Sequence, residues 1–350
     1  MLYSNPKNKI RAESMLFAGF TLEKVYITDH IKSNGNLIRD VEREESSRLG
    51  RLKSRLLLKK NLREDMNQTM NLMMTLLRPR RRNKYLKRVL EHMSKSNPST
   101  FLDVCQSMGI NQVRYQFLGK YPMLLDTRGQ SIAEEVLEKG CFQASLFATL
   151  SDLYATRDVF FVNIGANIGT SCLSAHAMGF RDFIAFEPVR SNFELLEHNL
   201  AQLKETSRIE LRCEAVGDTA GTGIINLNPS SIGRHSFVRD FHKGHEEVPL
   251  VRLDDVLPAK RGFLFMDTEG YELNVLKGAP EYLRNHADGI CAEITPALIG
   301  QNSVSEIDDI LQENFPFLYD SDGKRYKSLK EVRALQEGHQ VDIIGLKTAR

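Results

Sequence analysis

The chain has 350 residues, of which 41% are hydrophobic, and a formal net charge of +2. That length supports a sizeable core in one or two domains, and the near balance of charge excludes a general polyanion binder. No apolar run approaches the roughly 18 residues of a membrane span. The opening Met1-Leu2-Tyr3-Ser4-Asn5-Pro6 lacks an apolar signal core. The five cysteines, Cys105, Cys141, Cys172, Cys213 and Cys291, contain no C-x-x-C pair. Free thiols, no zinc site and a cytoplasmic location are therefore expected.

From Val41 to Leu77 there is no proline and one glycine, Gly50. Leu49, Leu52 and Leu56, then Leu62, Met66, Met70, Met73 and Leu77, recur at helical spacing, which predicts a long amphipathic helix or helical hairpin. Lys59 and Arg63 interrupt its heptads, so a homo-oligomer built through these helices competes with simple packing on the chain's own domain. Arg48 to Arg63 and Arg78 to Arg88 are rich in lysine and arginine. Such clusters bind anionic surfaces or form a solvated helix face. Few aromatics accompany them, and nucleic acid is not the expected partner.

Ser94 to Ser99 reads as a linker into a mixed segment, Phe101 to Leu150. Within it Ser131 and Glu134 form a capping-box pattern for a helix start.

Val159 to Ile164 is an unbroken β-branched and aromatic run, the mark of a parallel strand covered on both faces. The turn Gly165-Ala166-Asn167-Ile168-Gly169 follows, then Thr170 opens a helix. A second strand, Phe183 to Phe186, ends in Glu187-Pro188. Glu187 lies 24 residues beyond Asn163, near the spacing of roughly 20 at which a nucleotide-binding unit offers a carboxylate to ribose hydroxyls. The turn lacks the G-x-G-x-x-G of a dinucleotide site and the Gly-Lys-Ser/Thr of a phosphate loop. The remaining common occupant of such a crevice is S-adenosylmethionine, with Gly165, Ala166, Asn167, Gly169, Glu187 and Pro188 as its expected contacts.

The β-α-β rhythm continues beyond this point. Asn192 to Leu203 is expected to be helical, with Phe193, Leu196 and Leu200 on one face, and Ile209 to Cys213 a strand that places Glu214 near the adenine. Ala215 to Leu227, with Gly217, Gly221 and Gly223, predicts a hairpin excursion. The polar loop Ser230 to Ser236 carries His235, a candidate base. Strand Gly262 to Met266 ends at Asp267-Thr268-Glu269-Gly270-Tyr271-Glu272, which opens a helix through Leu276. Gly289 to Ile294 is a further strand containing Glu293, and 316–319 with 341–346 is expected to form an antiparallel edge.

Five ordered blocks carry a resemblance. They are Asn163 to Gly169, Phe186-Glu187-Pro188, Val251 to Leu257, Phe265 to Ala279, and Ala292-Glu293-Ile294. In that order they resemble the FkbM-type S-adenosylmethionine-dependent methyltransferases, over about Gly140 to Leu346. The resemblance implies a class I methyltransferase fold, α/β and Rossmann-like, with a mostly parallel sheet. It also implies O-methylation of a hydroxyl on a sugar, glycan or secondary metabolite. Three parts are expected: a mostly helical basic extension (1–98), a helical lead-in (99–155) and the methyltransferase domain (156–350). Family members usually carry Asp where this chain has Asn163, the residue expected to receive the cofactor ammonium, so a neutral acceptor replaces a charged one.

Ligands of open α/β sheets sit beyond the carboxyl ends of the strands, where Asp267 and Glu269 fall. Either is a candidate to accept or position the acceptor's hydroxyl proton, against the alternative that Glu269 and Glu272 only cap the next helix. Asp267, Glu269 and Glu293 could share a divalent metal, but nothing in their spacing demands one and none is expected. Two other classes compete. One is a nucleic-acid methyltransferase using the basic arm, although the Asn/Asp-Pro-Pro-Tyr/Phe motif of many N6-adenine enzymes is absent. The other is a non-catalytic binding module on the same scaffold.

Overall fold

The computed structural model describes residues 15–17, 20–22 and 94–348, apart from 229, 230, 232 and 243. The amphipathic stretch 41–77 and the basic clusters lie outside the described residues. The chain divides into two compact units, Met1–Arg114 and Tyr115–Arg350.

In the first unit Met15–Phe17 pairs antiparallel with Phe20–Leu22. Helix α1 (Pro98–Ser107) follows, with Pro98 in its first turn and Asn97 as N-cap accepting from the Thr100 N–H at 3.2 Å. Residues 94–96 are themselves helical. The stretch expected to be a linker is therefore a junction between helices, because Asn97 and Pro98 are start signals as well as breakers.

A hairpin of β1 (Gln112–Phe117) and β2 (Tyr121–Asp126) precedes α2 (Gln130–Lys139) and α3 (Ala144–Leu153). Helix α2 begins before Ser131, with Gly129 as a cap that makes no side-chain bond. The expected capping box does not form, since Ser131 is already inside the first turn.

The central sheet holds β3 (Phe160–Ile164), β4 (Asp182–Phe186), β5 (Arg208–Arg212), β9 (Gly262–Met266), β10 (Ala287–Ile294), β11 (Phe317–Asp320), β12 (Arg325–Tyr326) and β13 (Val341–Leu346). Their spatial order is β12-β11-β13-β10-β9-β3-β4-β5. The run from β5 through β10 is parallel, and β13 is antiparallel to both of its neighbours. The expected α/β sheet with its antiparallel edge is present. Every residue of β9 is buried, as are four of the five in β3, which is why both read as unbroken apolar runs.

Helices α4 (Thr170–Met178) and α5 (Arg190–Leu200) connect β3 to β4 and β4 to β5. Phe193, Leu196 and Leu200 are buried on one face of α5, and Ala201–Leu203 continues it as a 3-10 turn. Asn199 of α5 is fully buried. Its Oδ1 accepts from the Leu124 N–H at 2.7 Å, and its Nδ2 donates to the carbonyls of Leu124 and Ile168. One side chain thus ties the hairpin, the helix and the glycine turn together.

The expected hairpin over Ala215 to Leu227 is corrected. Strand β6 (Ala215–Val216) pairs parallel with β8 (His245–Val251), and β7 (Gly221–Asn226) pairs antiparallel with β8. The glycines separate two strands that share a distant third partner, and the β7–β8 connection runs over 227–244. Helices α6 (Leu253–Val256), α7 (Glu272–Lys277), α8 (Pro280–Asn285), α9 (Pro296–Asn314) and α10 (Arg333–Gln336) complete the unit. Among the described residues no helix is long and apolar enough to cross a membrane.

Candidate active site

Strand order reverses at β3, whose neighbours β4 and β9 belong to opposite halves of the sheet. Beyond the carboxyl ends of these strands lies a cleft of about 360 Å³, within the range of small-molecule sites. It is lined by Gly165, Ala166 and Asn167 from the turn after β3, and by Glu187 and Pro188 after β4. Glu214, Arg234, His235, Asp267, Thr268, Glu269, Glu293 and Asp342 also line it.

The glycine turn is shaped by the protein before any ligand is considered. Gly165 has φ +81°, and a Cβ there would lie 1.9 Å from the Asp267 carbonyl oxygen. The first strand's turn therefore abuts the backbone of the acid loop directly. Gly169, at φ +93°, would place a Cβ 3.0 Å from Leu196 and 3.2 Å from Leu200. It lets α5 pack on the start of α4 and does not line the cleft.

Asn163 does not line the cleft either. It is 1% exposed, its Nδ2 donates to Cys172 Sγ at 3.3 Å, and its Oδ1 has no partner among the described residues. The side chain faces helix α4.

Glu187 closes the turn from the other side. Its Oε2 accepts the Asn167 N–H and its Oε1 the Val189 N–H, both at 2.9 Å. Burial pushes its carboxyl up to about 7, against the lowering effect of those two bonds. The Asn192 side chain bonds the same carboxylate, and the acceptor capacity left beyond these three bonds is what a ligand hydroxyl can use. Glu214 is paired with Arg212 Nε at 2.6 Å.

The acid loop after β9 is held by Glu272. Its Oε1 accepts from the Thr268 N–H, the Thr268 hydroxyl and the Gly270 N–H at 3.0 to 3.2 Å. The residue is 2% exposed, and burial raises its carboxyl above the ordinary range. The reading that Glu272 caps the next helix is corrected: the N-cap there is Tyr271, with no side-chain bond, and the Glu272 carboxylate turns back to fix the preceding loop. Within that loop Glu269 adopts φ +50° and Gly270 φ +102°, a pair of left-handed conformations that Glu269 takes only under constraint.

Burial, then the neighbouring Glu269 and Asp342 charges, raise Asp267 well above the carboxylate range. Burial carries Glu269 to about 7, opposed by Arg234 and Arg239, and Asp342 to about 6. Glu293 rises through burial and the charges of Asp267 and Asp342. Among the described residues, seven carboxylates and one guanidinium, Arg234, line the cleft. Such a surface favours a cationic ligand and opposes a polyanion.

His235 lines the cleft, but its Nδ1 accepts the Asn228 N–H at 2.9 Å. That bond assigns the proton to Nε2, and burial lowers the ring to about 4. In this state the imidazole is a neutral donor whose basic nitrogen is occupied, contrary to the expectation of a base. Ser236, next to it, is 2% exposed and donates to the Glu269 carbonyl at 2.7 Å. Phe237 stacks on Tyr271 with ring centroids 4.7 Å apart, and both rings line the cleft. Sequence reasoning missed Ser236, this aromatic pair, the α2 residues Ser131 and Glu135, and Asp342. Of these, Asp342 carries a readable signal, an acid near the start of an otherwise apolar strand.

Residues 163–318 match the family model described as the methyltransferase FkbM domain. No curated protein matches the sequence. Among solved structures, the fold is similar to a methyltransferase FkbM from Methylobacillus flagellatus KT at 18% identity and TM-score 0.39. That alignment covers 63% of this chain and 55% of the other, so the chain spans about half that protein's length. A S-adenosylmethionine-dependent O-methyltransferase from Thermotoga maritima aligns at 16% identity over 63% of this chain and 72% of its own, with TM-score 0.33. A tRNA (uracil-54, C5)-methyltransferase from Pyrococcus abyssi, solved with S-adenosyl-L-homocysteine, aligns at 9% identity over 67% and 44%, with TM-score 0.35.

Proposed function

We propose that this chain, whose residues 163–318 match the methyltransferase FkbM domain, uses S-adenosylmethionine to methylate a hydroxyl on a sugar, glycan or secondary metabolite. The residues present fit that cofactor. Gly165 to Asn167 offer backbone at a turn without side-chain cover, Glu187 is the acid at the end of the second strand, and the excess of carboxylates suits a ligand carrying a sulfonium and an ammonium. Glu187 would hold the adenosine hydroxyls, and the amino-acid end would lie against the turn, whose Gly165 and Ala166 N–H groups are bonded to the Phe186 carbonyl and whose Asn167 N–H is bonded to Glu187.

The cofactor supplies a methyl group on a sulfonium that is already electrophilic, so the protein's task is alignment and exclusion of water. The observation that carries the acceptor side is Asp267. It stands at the carboxyl end of β9 inside the cleft, with a carboxyl raised by burial and no hydrogen-bond partner among the described residues. A carboxylate of raised pKa, aimed at the cleft and uncommitted, is suited to accept a hydroxyl proton or to orient the hydroxyl. Glu269, at about 7, is the second candidate for the same role. The Phe237–Tyr271 pair presents aromatic surface that suits the C–H face of a sugar ring. His235 would serve as a donor to an acceptor oxygen.

The acidic lining speaks against a nucleic-acid acceptor entering this cleft. Five free thiols fit a cytoplasmic place of action. The test is methyl transfer from labelled S-adenosylmethionine to a panel of nucleotide-sugars and glycans, with Asp267→Asn alongside. We expect transfer to at least one hydroxylated acceptor and a loss of 10²-fold or more in the variant, the usual scale of proton-transfer catalysis. Full activity in Asp267→Asn would remove the assigned role, and no cofactor binding by calorimetry would remove the reading as a whole.

A further inference from the structure

Four acids from three elements converge on one corner of the cleft. Asp267 and Glu269 come from the loop after β9, Glu293 is the next-to-last residue of β10, and Asp342 is near the start of β13. The antiparallel register sets Glu293 directly opposite Asp342. One oxygen each from Asp267, Glu269 and Glu293 lies within 4.8 Å of the others.

Glu293 is the telling member. It is 7% exposed and lines the cleft, and its carboxyl has no hydrogen-bond or ion-pair partner among the described residues. Like charges directly opposite on neighbouring strands repel, and a buried carboxylate without a donor or cation is strongly disfavoured. Neither Asp267 nor Asp342 supplies a positive charge. The corner thus gathers carboxyl oxygens whose mutual repulsion either protons or a cation would relieve.

We propose that Asp267, Glu269 and Glu293 bind a divalent cation of the hard, oxygen-seeking class, Mg²⁺, Mn²⁺ or Ca²⁺, with Asp342 adding to the field behind it. Oxygens bound to one such ion lie about 2.0 to 2.6 Å from it and so at most about 4 to 5 Å from each other, which matches the observed cluster. The ligand set contains no nitrogen or sulfur, which disfavours zinc. The left-handed backbone at Glu269, fixed by Glu272 and by Ser236, is what turns that side chain toward the other two acids.

Three carboxylates leave coordination positions open toward the cleft. There the ion would take acceptor oxygens and lower the pKa of a bound hydroxyl. This second role rests on the methyl-transfer reading, and with the ion bound Asp267 orients the hydroxyl through the ion in place of taking its proton directly; cation binding itself does not rest on that reading.

The experiment uses the full chain, stripped with EDTA and free of cofactor, titrated with Mn²⁺ by electron paramagnetic resonance and with Mg²⁺ and Ca²⁺ by calorimetry. We expect one ion per chain, a rise in melting temperature on its addition, and at least a tenfold loss of affinity in Glu293→Gln. Asp267→Asn, in a loop, provides the same readout should the strand variant fail to fold. No binding at millimolar cation overturns the proposal, and so does binding that both variants retain. S-adenosylmethionine calorimetry in EDTA separates the two readings. Cofactor binding without any cation site leaves the methyltransferase reading standing alone, and a cation site without cofactor binding does the reverse.

Discussion

Ser236 Oγ donates to the Glu269 carbonyl at 2.7 Å and at the same time accepts the N–H groups of Val238 and Arg239. One buried hydroxyl thereby pins the 227–244 connection to the acid loop, and with it the segment that carries His235 and Phe237. Ser236→Ala removes all three bonds. The expected cost is about 1–3 kcal/mol of stability, measured by denaturant unfolding. Acceptor KM should rise several-fold while cofactor affinity stays within twofold. Equal losses on both sides would show that the connection does not serve the acceptor side in particular.

Glu272 is expected to discriminate sharply between two substitutions. Glu272→Ala strands the N–H groups of Thr268 and Gly270 and should destabilise by about 2–4 kcal/mol. Glu272→Gln keeps an acceptor at Oε1 and replaces the unpartnered Oε2, so it should stay within about 1 kcal/mol of the parent. Thermal melts of the pair decide it.

The two turn glycines should not be equivalent. Gly165→Ala drives a Cβ into the Asp267 backbone, which cannot step aside, and should abolish cofactor binding and lower stability by more than about 3 kcal/mol. Gly169→Ala meets only the tips of Leu196 and Leu200, which can give way. Its cost should be near the roughly 1–2 kcal/mol of a left-handed alanine, with cofactor binding retained.

Glu187 predicts a pH dependence of definite sign. Its carboxyl titrates at about 7 in the folded chain against an ordinary 4.5, so the folded state holds the extra proton between those values. Its contribution to stability is therefore greatest at low pH and is lost as pH rises from about 4.5 to about 7. Glu187→Gln should flatten that part of the stability–pH curve relative to the parent. Cofactor affinity moves the opposite way, since the ionised acid is the better acceptor for hydroxyls. It should fall up to about tenfold per pH unit below 7, as read by calorimetry at pH 6 and pH 8.

What the sequence discloses follows from which constraints are local. Strands 262–266 and 341–346 are readable to the residue because a buried strand writes itself as an apolar run closed by polar neighbours. Asp267 and Glu187 are readable as cleft residues for the same reason, each being the first acid after such a run. The pairing of Leu250 with Ala215 and the facing of Glu293 by Asp342 are set by register between distant strands. No spacing along the chain encodes either. The state of His235 is hidden for a related cause, because the Asn228 N–H that fixes its proton is a tertiary neighbour. Asn163 is the instructive case. Its place in the motif is plain in the sequence, but its side chain faces Cys172 because alternate strand residues point to opposite faces.

The closeness of Gly165 to the Asp267 carbonyl has a corollary at the level of the codon. Every missense change of a glycine codon introduces a residue bearing a Cβ, and here any Cβ meets backbone at 1.9 Å. Position 165 thus has no neutral mutational neighbour, and a population carrying this chain should show only synonymous variation there.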